Sequence, residues 1–395
     1  MHKNTLRTLP ALLALAFAGS ASAAAFQLWE QNASGLGTAY AGSAAVADNA
    51  SANFFNPASL TQLSGINISA GVTGVGPSYQ YRDNAGASNT GGDAGGWAAV
   101  PNAHMSAQLS PAWTVGFSVS APFGLATEYN SGWVGQTQSL KSEIKTVNFN
   151  PSVAYKLNDK VSLGFGLNYQ TIDGELTRYS GSPVIGNVVL KGDDHSWGWN
   201  AGALFTLSPS MRVGVSYRSA VKHVLEGNVT TQTSTTPVRA DVKLPDTFIL
   251  SVWQQVSDRW EAMGDLSYTR WESMQALNVI NRNSGTLVSS ERFNYGNSWR
   301  IAWGAAYKAT DAVKYKFGIA YDRTPVQDGD RSPRVPDNDR LWLSLGAQWN
   351  AGKAGKVDVG YSYLYVKDPS IQQGSLNGRY DAHAHIVGLQ YSVGF

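Results

Sequence analysis

Apolar and polar residues alternate with a period of two along most of the chain. In Val357-Asp358-Val359-Gly360-Tyr361-Ser362-Tyr363 the odd positions are apolar or aromatic and the even ones small or polar. The chain end repeats the pattern, with Val387, Leu389, Tyr391, Val393 and Phe395 set against Gly388, Gln390, Ser392 and Gly394. Such segments predict half-buried strands, because successive side chains of a strand point to opposite faces. Strands are predicted at 66–79, 97–109, 112–121, 143–156, 160–178, 195–207, 210–225, 242–256, 259–271, 296–308, 311–322, 338–349, 354–366 and 380–395, about fourteen in all.

The residues on the two faces decide which kind of sheet this is. The polar face is mostly Gly, Ser, Asn and Gln, and Trp113, Trp260, Trp271, Trp299, Trp349 and Tyr365 sit near segment ends. That matches a lipid-facing band with aromatic girdles around a polar lumen. Short turns such as Leu157-Asn158-Asp159-Lys160 alternate with longer polar connections such as Arg82–Gly96 and Glu226–Asp241, the asymmetry of an outer-membrane barrel. The expected fold is all-β, a transmembrane antiparallel barrel of about 14 strands over residues 66–395.

The N-terminus sets the compartment. Lys3 and Arg7, the apolar run Ala11–Ala18 and the Ala21-Ser22-Ala23 cleavage site are the three parts of a signal peptide, assigned to residues 1–23. That segment holds two basic and no acidic residues, so the chain's 30 Lys and Arg become 28 against 28 Asp and Glu. The balance gives no reason to expect a nucleic-acid partner. Cysteine is absent, which excludes disulfides, thiolate metal sites and a cysteine nucleophile.

Between cleavage site and first strand lies 24–65, rich in Ala, Gly, Ser and Asn. It has too few large apolar groups for a core of its own, while a barrel of this width needs filling. It is expected to plug the lumen, with a periplasmic tail as the alternative.

These residues also carry a resemblance. "AAFQLWEQNASGLGTAYAGSAAVADNASANFFNPASL" from Ala24 resembles the N-terminal hatch of the FadL family, outer-membrane transporters of long-chain fatty acids, with its Asn56-Pro57-Ala58 element. "VPNAH" from Val100, "GLATEY" from Gly124, "WGWNAG" from Trp197, "YRSAVK" from Tyr217 and "TPVQDGDRSPRVPDNDRLWLSLG" from Thr324 extend it over nearly the whole mature chain. The resemblance implies passive uptake in the outer membrane of a Gram-negative bacterium. A hydrophobic ligand, a fatty acid or an aromatic hydrocarbon, binds in an outer groove, moves to an interior pocket and leaves sideways through the wall. No cofactor and no metal is expected, nor any partner beyond the ligand, outer-membrane lipids, lipopolysaccharide and the barrel-assembly machinery; the chain is expected to act as a monomer.

Site residues follow from facing. With Leu163, Phe165, Leu167 and Tyr169 toward lipid, Ile172, Leu176 and Arg178 point into the lumen above the membrane. Two apolar side chains beside a guanidinium suit an amphipathic carboxylate, and the family pattern "RYSG" places a basic pocket residue at Arg178; pairing with a loop carboxylate is the alternative. Phe26 matches a hatch residue that reaches the pocket in the family, and Asn56 and Pro57 are expected to seat the hatch on the wall. Pro101 and Pro122 would fall at one level of a strand pair whose opposite residues sum to about 221. Pro122, Phe123 and Gly124 are expected to kink inward as a lateral exit, Gly124 allowing the backbone geometry; a harmless bulge is the bland alternative.

His383 and His385 share a strand face without a third metal ligand, and Asp193-Asp194 and Asp328–Asp330 resemble solvated loops. An enzyme is not expected, since no His sits in an evident Ser-His-Asp arrangement. A general diffusion porin remains the less favoured alternative.

Overall fold

The computed structural model describes residues 25–395; the signal-peptide assignment, 1–23, lies outside the described residues. The strands are β1 (Ile66–Asp83), β2 (Ala98–Gln108), β3 (Trp113–Ser120), β4 (Gly124–Glu128), β5 (Lys141–Lys156), β6 (Val161–Tyr179) and β7 (Asn187–Ser208). They continue as β8 (Met211–Arg218), β9 (Val221–Thr230), β10 (Thr235–Leu244), β11 (Thr247–Gln255), β12 (Trp260–Thr269), β13 (Ala276–Asn281) and β14 (Leu287–Arg292). β15 (Ser298–Lys308), β16 (Val313–Asp322), β17 (Arg340–Asn350), β18 (Lys356–Val366), β19 (Ser370–Gln373) and β20 (Leu376–Gly394) complete the wall.

Neighbours pair antiparallel, and β1 closes on β20 from Asn67↔Gly394 to Asp83↔Gly378, giving a closed 14-stranded barrel. The element count exceeds fourteen because some wall strands are interrupted. Pro245, which can donate no ladder bond, separates β10 from β11.

Polarity is inverted relative to a soluble barrel. Leu163, Phe165 and Leu167 are each 46% exposed on the outside, whereas the inner wall carries amides such as Asn150, whose Nδ2 donates to Asn200 Oδ1 at 2.8 Å. Aromatic pairs mark both ends of the band, Trp113 with Tyr155 and Tyr169 with Trp197. Among the described residues no helix is long and apolar enough to cross a membrane.

Several expected boundaries move. The connection 226–241 is a hairpin of β9 and β10, β7 begins at Asn187 rather than 195, and Asp193-Asp194 lie on β7 instead of in a loop. The hairpin β13–β14 was not anticipated. These parts lie at the outer end of the wall, where β14 is largely exposed while β10 still buries Val238, Ala240 and Leu244 inward.

Residues 25–65 lie inside the barrel and bond to inward-facing groups of many strands. Ser43 Oγ donates to Asp265 at 2.7 Å, Asn53 Nδ2 to Ser118 at 2.7 Å, and Gln390 Oε1 accepts from Ala33 N. Arg300 donates to Ala39 O and Lys316 to Ser34 O, each at 2.7 Å. The segment holds one helical turn, Ala52–Phe55, and 3-10 turns at Leu36–Thr38 and Pro57–Gln62, with Trp29, Tyr40 and Phe55 packed together at its centre.

Candidate functional site

The site begins at a break in the wall. β2 and β3 pair only from Gln108↔Thr114 to Ala103↔Val119. Opposite residues therefore sum to 222, which corrects the expected 221. Leu109 N bonds Trp113 O, closing a three-residue turn where a tighter one was expected. On this register Pro101 would face Ala121 and Pro122 would face Val100, but no pairing reaches that level, and Pro101 is paired only with Val72 of β1.

On its other side β3 follows β5 to Ser120↔Asn148, and β4 resumes at Gly124↔Lys145. Three residues, 121–123, thus stand opposite two, 146 and 147, which is a bulge. The extra residue inverts the facing. Even positions of β3 point inward, as buried Ser118 and Ser120 do, whereas odd positions of β4 do, with Leu125 and Thr127 buried.

The N-terminal segment takes over the lost pairing. Leu28 N donates to Pro122 O at 2.8 Å and Gly124 N to Phe26 O at 2.9 Å, with Gln27 bridged to Phe123. Gln31 Nε2 donates to Ala121 O at 2.8 Å. Thr146 Oγ1 accepts from Phe123 N at 2.9 Å and donates to Phe123 O at 2.7 Å. Gly124 is not among the residues with positive φ, so its backbone lies outside the left-handed region. Phe123 points inward, 5% exposed, against Phe26 and Trp271.

Above this break is a cavity lined mainly by apolar side chains, including Phe26, Leu125, Ile144, Ile172, Leu176 and Met274, with Lys191, Arg239 and Arg334 the charged residues at its lining. Phe26 packs edge-on to Trp271 at 4.8 Å. A smaller cavity, bordered by Leu28, Phe54, Pro122, Phe123 and Arg218, lies on the other side of that aromatic group. Outward, Leu176 also borders a third, more open space lined by Arg178, Val188, Leu190, Val288, Glu291 and Arg334.

Phe26, Ile172 and Leu176 are therefore brought together, while Arg178 lines only the outer space. The cation shared by both is Arg334, which sequence reasoning missed. It is 4% exposed, donates to Gln138 O at 2.7 Å and Ser142 Oγ at 3.0 Å, and stands 3.4 Å from Glu291. Burial pushes its guanidinium below the ordinary arginine range, Glu291 opposing the shift and Arg178 adding to it. Its only signal in the sequence is the motif "SPRVPD", an irregular loop with no facing rule to apply.

Asn56, Pro57 and Ala58 lie away from the cavities, against β6 and β7. Asn56 Nδ2 donates to Ala44 O and Ala203 O, and Ala58 N donates to Asn56 Oδ1. A Cβ at Gly202 would come within 2.1 Å of Asn56 Oδ1 and one at Gly164 within 2.2 Å of Ala58 N, so both wall positions need glycine for close approach. His385 bonds Tyr361 Oη at 2.8 Å on the outer face. Among the described residues no group of three His, Asp or Glu could hold a metal.

Comparison with known proteins places this geometry. The model of the outer membrane protein transport protein family (OMPP1/FadL/TodX) matches residues 14–395. The long-chain fatty acid transport protein of Salmonella typhi is 31% identical over 443 residues, covering all of both chains. A Pseudomonas aeruginosa FadL homologue superposes with a TM-score of 0.87 at 24% identity, covering 94% of this chain and 100% of that one. The Pseudomonas putida toluene transporter TodX gives 0.72 at 17% identity, over 92% and 98%. The chain is an outer-membrane β-barrel and belongs to the OMPP1/FadL/TodX family of outer membrane transport proteins.

Proposed function

We propose that the protein takes up hydrophobic molecules, long-chain fatty acids or similar amphipaths, by passive movement from the outer space to the inner cavity and out through the wall at 121–123. The observation that carries this reading is the apolar cavity directly above a stretch of wall that pairs with the N-terminal segment instead of β2. An apolar chain gains about 0.8 kcal/mol per CH₂ by staying out of water, so a dry pocket feeding the bilayer suits it better than an aqueous pore. In this reading residues 24–65 are the hatch, and Phe26 and Phe123 part from Trp271 to join the two inner cavities. Asn56-Pro57-Ala58 anchors the segment and does not touch ligand. The apolar surface that dominates the inner cavity, despite Lys191, Arg239 and Arg334 at its lining, supports a second reading, an importer of aromatic hydrocarbons by the same route; such a protein would bind toluene as tightly as palmitate.

The bulge supplies the test. Deleting Ala121 and changing Pro122→Val restores two residues opposite two, leaving Leu125 opposite Ile144 as before. The variant should insert, show normal heat-modifiable migration, bind palmitate and fail to take it up. Normal uptake by a correctly assembled variant sinks the lateral route.

A further inference from the structure

The outer space holds three charged lining residues, Arg178, Arg334 and Glu291. Two cations face one carboxylate, so the site carries one uncompensated positive charge. Among the described residues Arg178 has no ion-pair partner within 4.0 Å; Asp330, in the turn between β16 and β17, pairs instead with Arg292 of the hairpin, at 3.3 Å. Arg334 is held firmly on one side only. Its NH1 donates to Ser142 Oγ and Lys141 O and its NH2 to Gln138 O, while Nε makes no hydrogen bond. Glu291 stands at 3.4 Å from that Nε, beyond the ~2.7–2.9 Å of a charge-assisted bond. Glu291 belongs to β14, an exposed strand of the outer hairpin, whereas Arg334 is buried at the boundary with the apolar cavity.

We infer that Glu291 is a built-in stand-in for the ligand's head group: an incoming carboxylate takes its place on Arg334 Nε, with Arg178 as second cation, while the alkyl tail enters the cavity beside Leu176 and Phe26. The exchange swaps one carboxylate for another at Arg334, so the guanidinium never loses its counter-charge, and the displaced Glu291 turns to water at the hairpin surface. A neutral hydrocarbon or alcohol has nothing to exchange. The pair therefore sets preference for singly anionic amphipaths and against neutral ones. This inference rests on the inner cavity being the ligand site.

Equilibrium binding of radiolabelled palmitate and of hexadecan-1-ol to the purified full chain separates the possibilities, with assembly of each variant checked by heat-modifiable migration. Glu291→Gln removes the competitor and should tighten palmitate roughly tenfold without altering hexadecan-1-ol. Arg334→Gln should weaken palmitate by at least that factor and again spare the alcohol. If Arg334→Gln does not assemble, the Glu291→Gln result decides. Weaker palmitate binding in Glu291→Gln, or equal changes for both ligands, overturns the exchange. A wild-type protein that binds both ligands with neither substitution discriminating them also overturns it, yet leaves the pocket reading standing. One that binds neither removes both.

Discussion

Changing Thr146→Val tests whether the wall break depends on a single hydroxyl. The substitution keeps shape and branching but removes the group that accepts from Phe123 N at 2.9 Å and donates to Phe123 O at 2.7 Å. Phe123 lies in the bulge, where no ladder partner replaces those bonds, and the residue is buried. A buried backbone group left unpartnered costs about 1–3 kcal/mol. Two such groups place the cost to the kinked conformation at about 2 kcal/mol or more. Read as opening of the Phe123 amide, about 2 kcal/mol corresponds to roughly 30-fold faster hydrogen exchange. Exchange measured by mass spectrometry on peptides spanning 119–126 should show that acceleration, localised there, with palmitate uptake reduced in parallel. Thr146→Ser keeps the hydroxyl and should resemble the wild type. Unchanged exchange at Phe123 in Thr146→Val would show that the segment 26–31, not Thr146, holds the break in place.

Three further outcomes are expected. Deleting 25–65 should leave a barrel that assembles but conducts ions in a planar bilayer, since the segment fills a lumen of fourteen strands; conductance no higher than that of the intact chain would mean it is no plug. Asn56→Ala removes two donated bonds and one accepted bond and should lower stability by about 3 kcal/mol, at ~1 kcal/mol each, read as a lower heat-modification temperature. Burial raises the carboxyl of Glu30, in the N-terminal segment, from 4.5 to about 7, with Arg340 and Arg300 opposing. The folded form then holds a proton that the unfolded chain has lost between about pH 4.5 and 7, so stability falls as pH rises through that window; Glu30→Gln should flatten the decline, and an unchanged pH profile would count against it.

The membrane band is readable from the chain because lipid outside and a polar lumen inside force strict alternation, as in β6, where Leu163 and Phe165 face out and Ile172 and Leu176 face in. The same parity brought Ile172 and Leu176 to the cavity. It failed above the band. The stretch 226–241 reads as a loop because its run of Thr, Ser, Gln and Asn hides the short alternation through Val238 and Ala240 that lines the cavity, and β14, Leu287–Arg292, shows no alternation at all. Arg334 was missed because it sits in a Pro-flanked loop whose course is set by tertiary contacts. The register of β2 and β3 slipped by one because the turn Ser110-Pro111-Ala112 is one residue longer than its dipeptide signals imply. At Gly124 the backbone is not left-handed, and the surplus residue before it is the irregularity the pairing shows.

That surplus residue acts on the outer part of the wall as a frameshift acts on a message. Facing in β4 is counted from β5, not from β3, so inside and outside exchange numerical parity across 121–123. An insertion or deletion of two residues there preserves the inverted parity, whereas deletion of one residue restores two opposite two and removes the break. Relatives that keep the inverted parity should therefore vary in length at this point in steps of two. Grafting outer loops between such barrels will succeed or fail on this count before any question of loop chemistry arises.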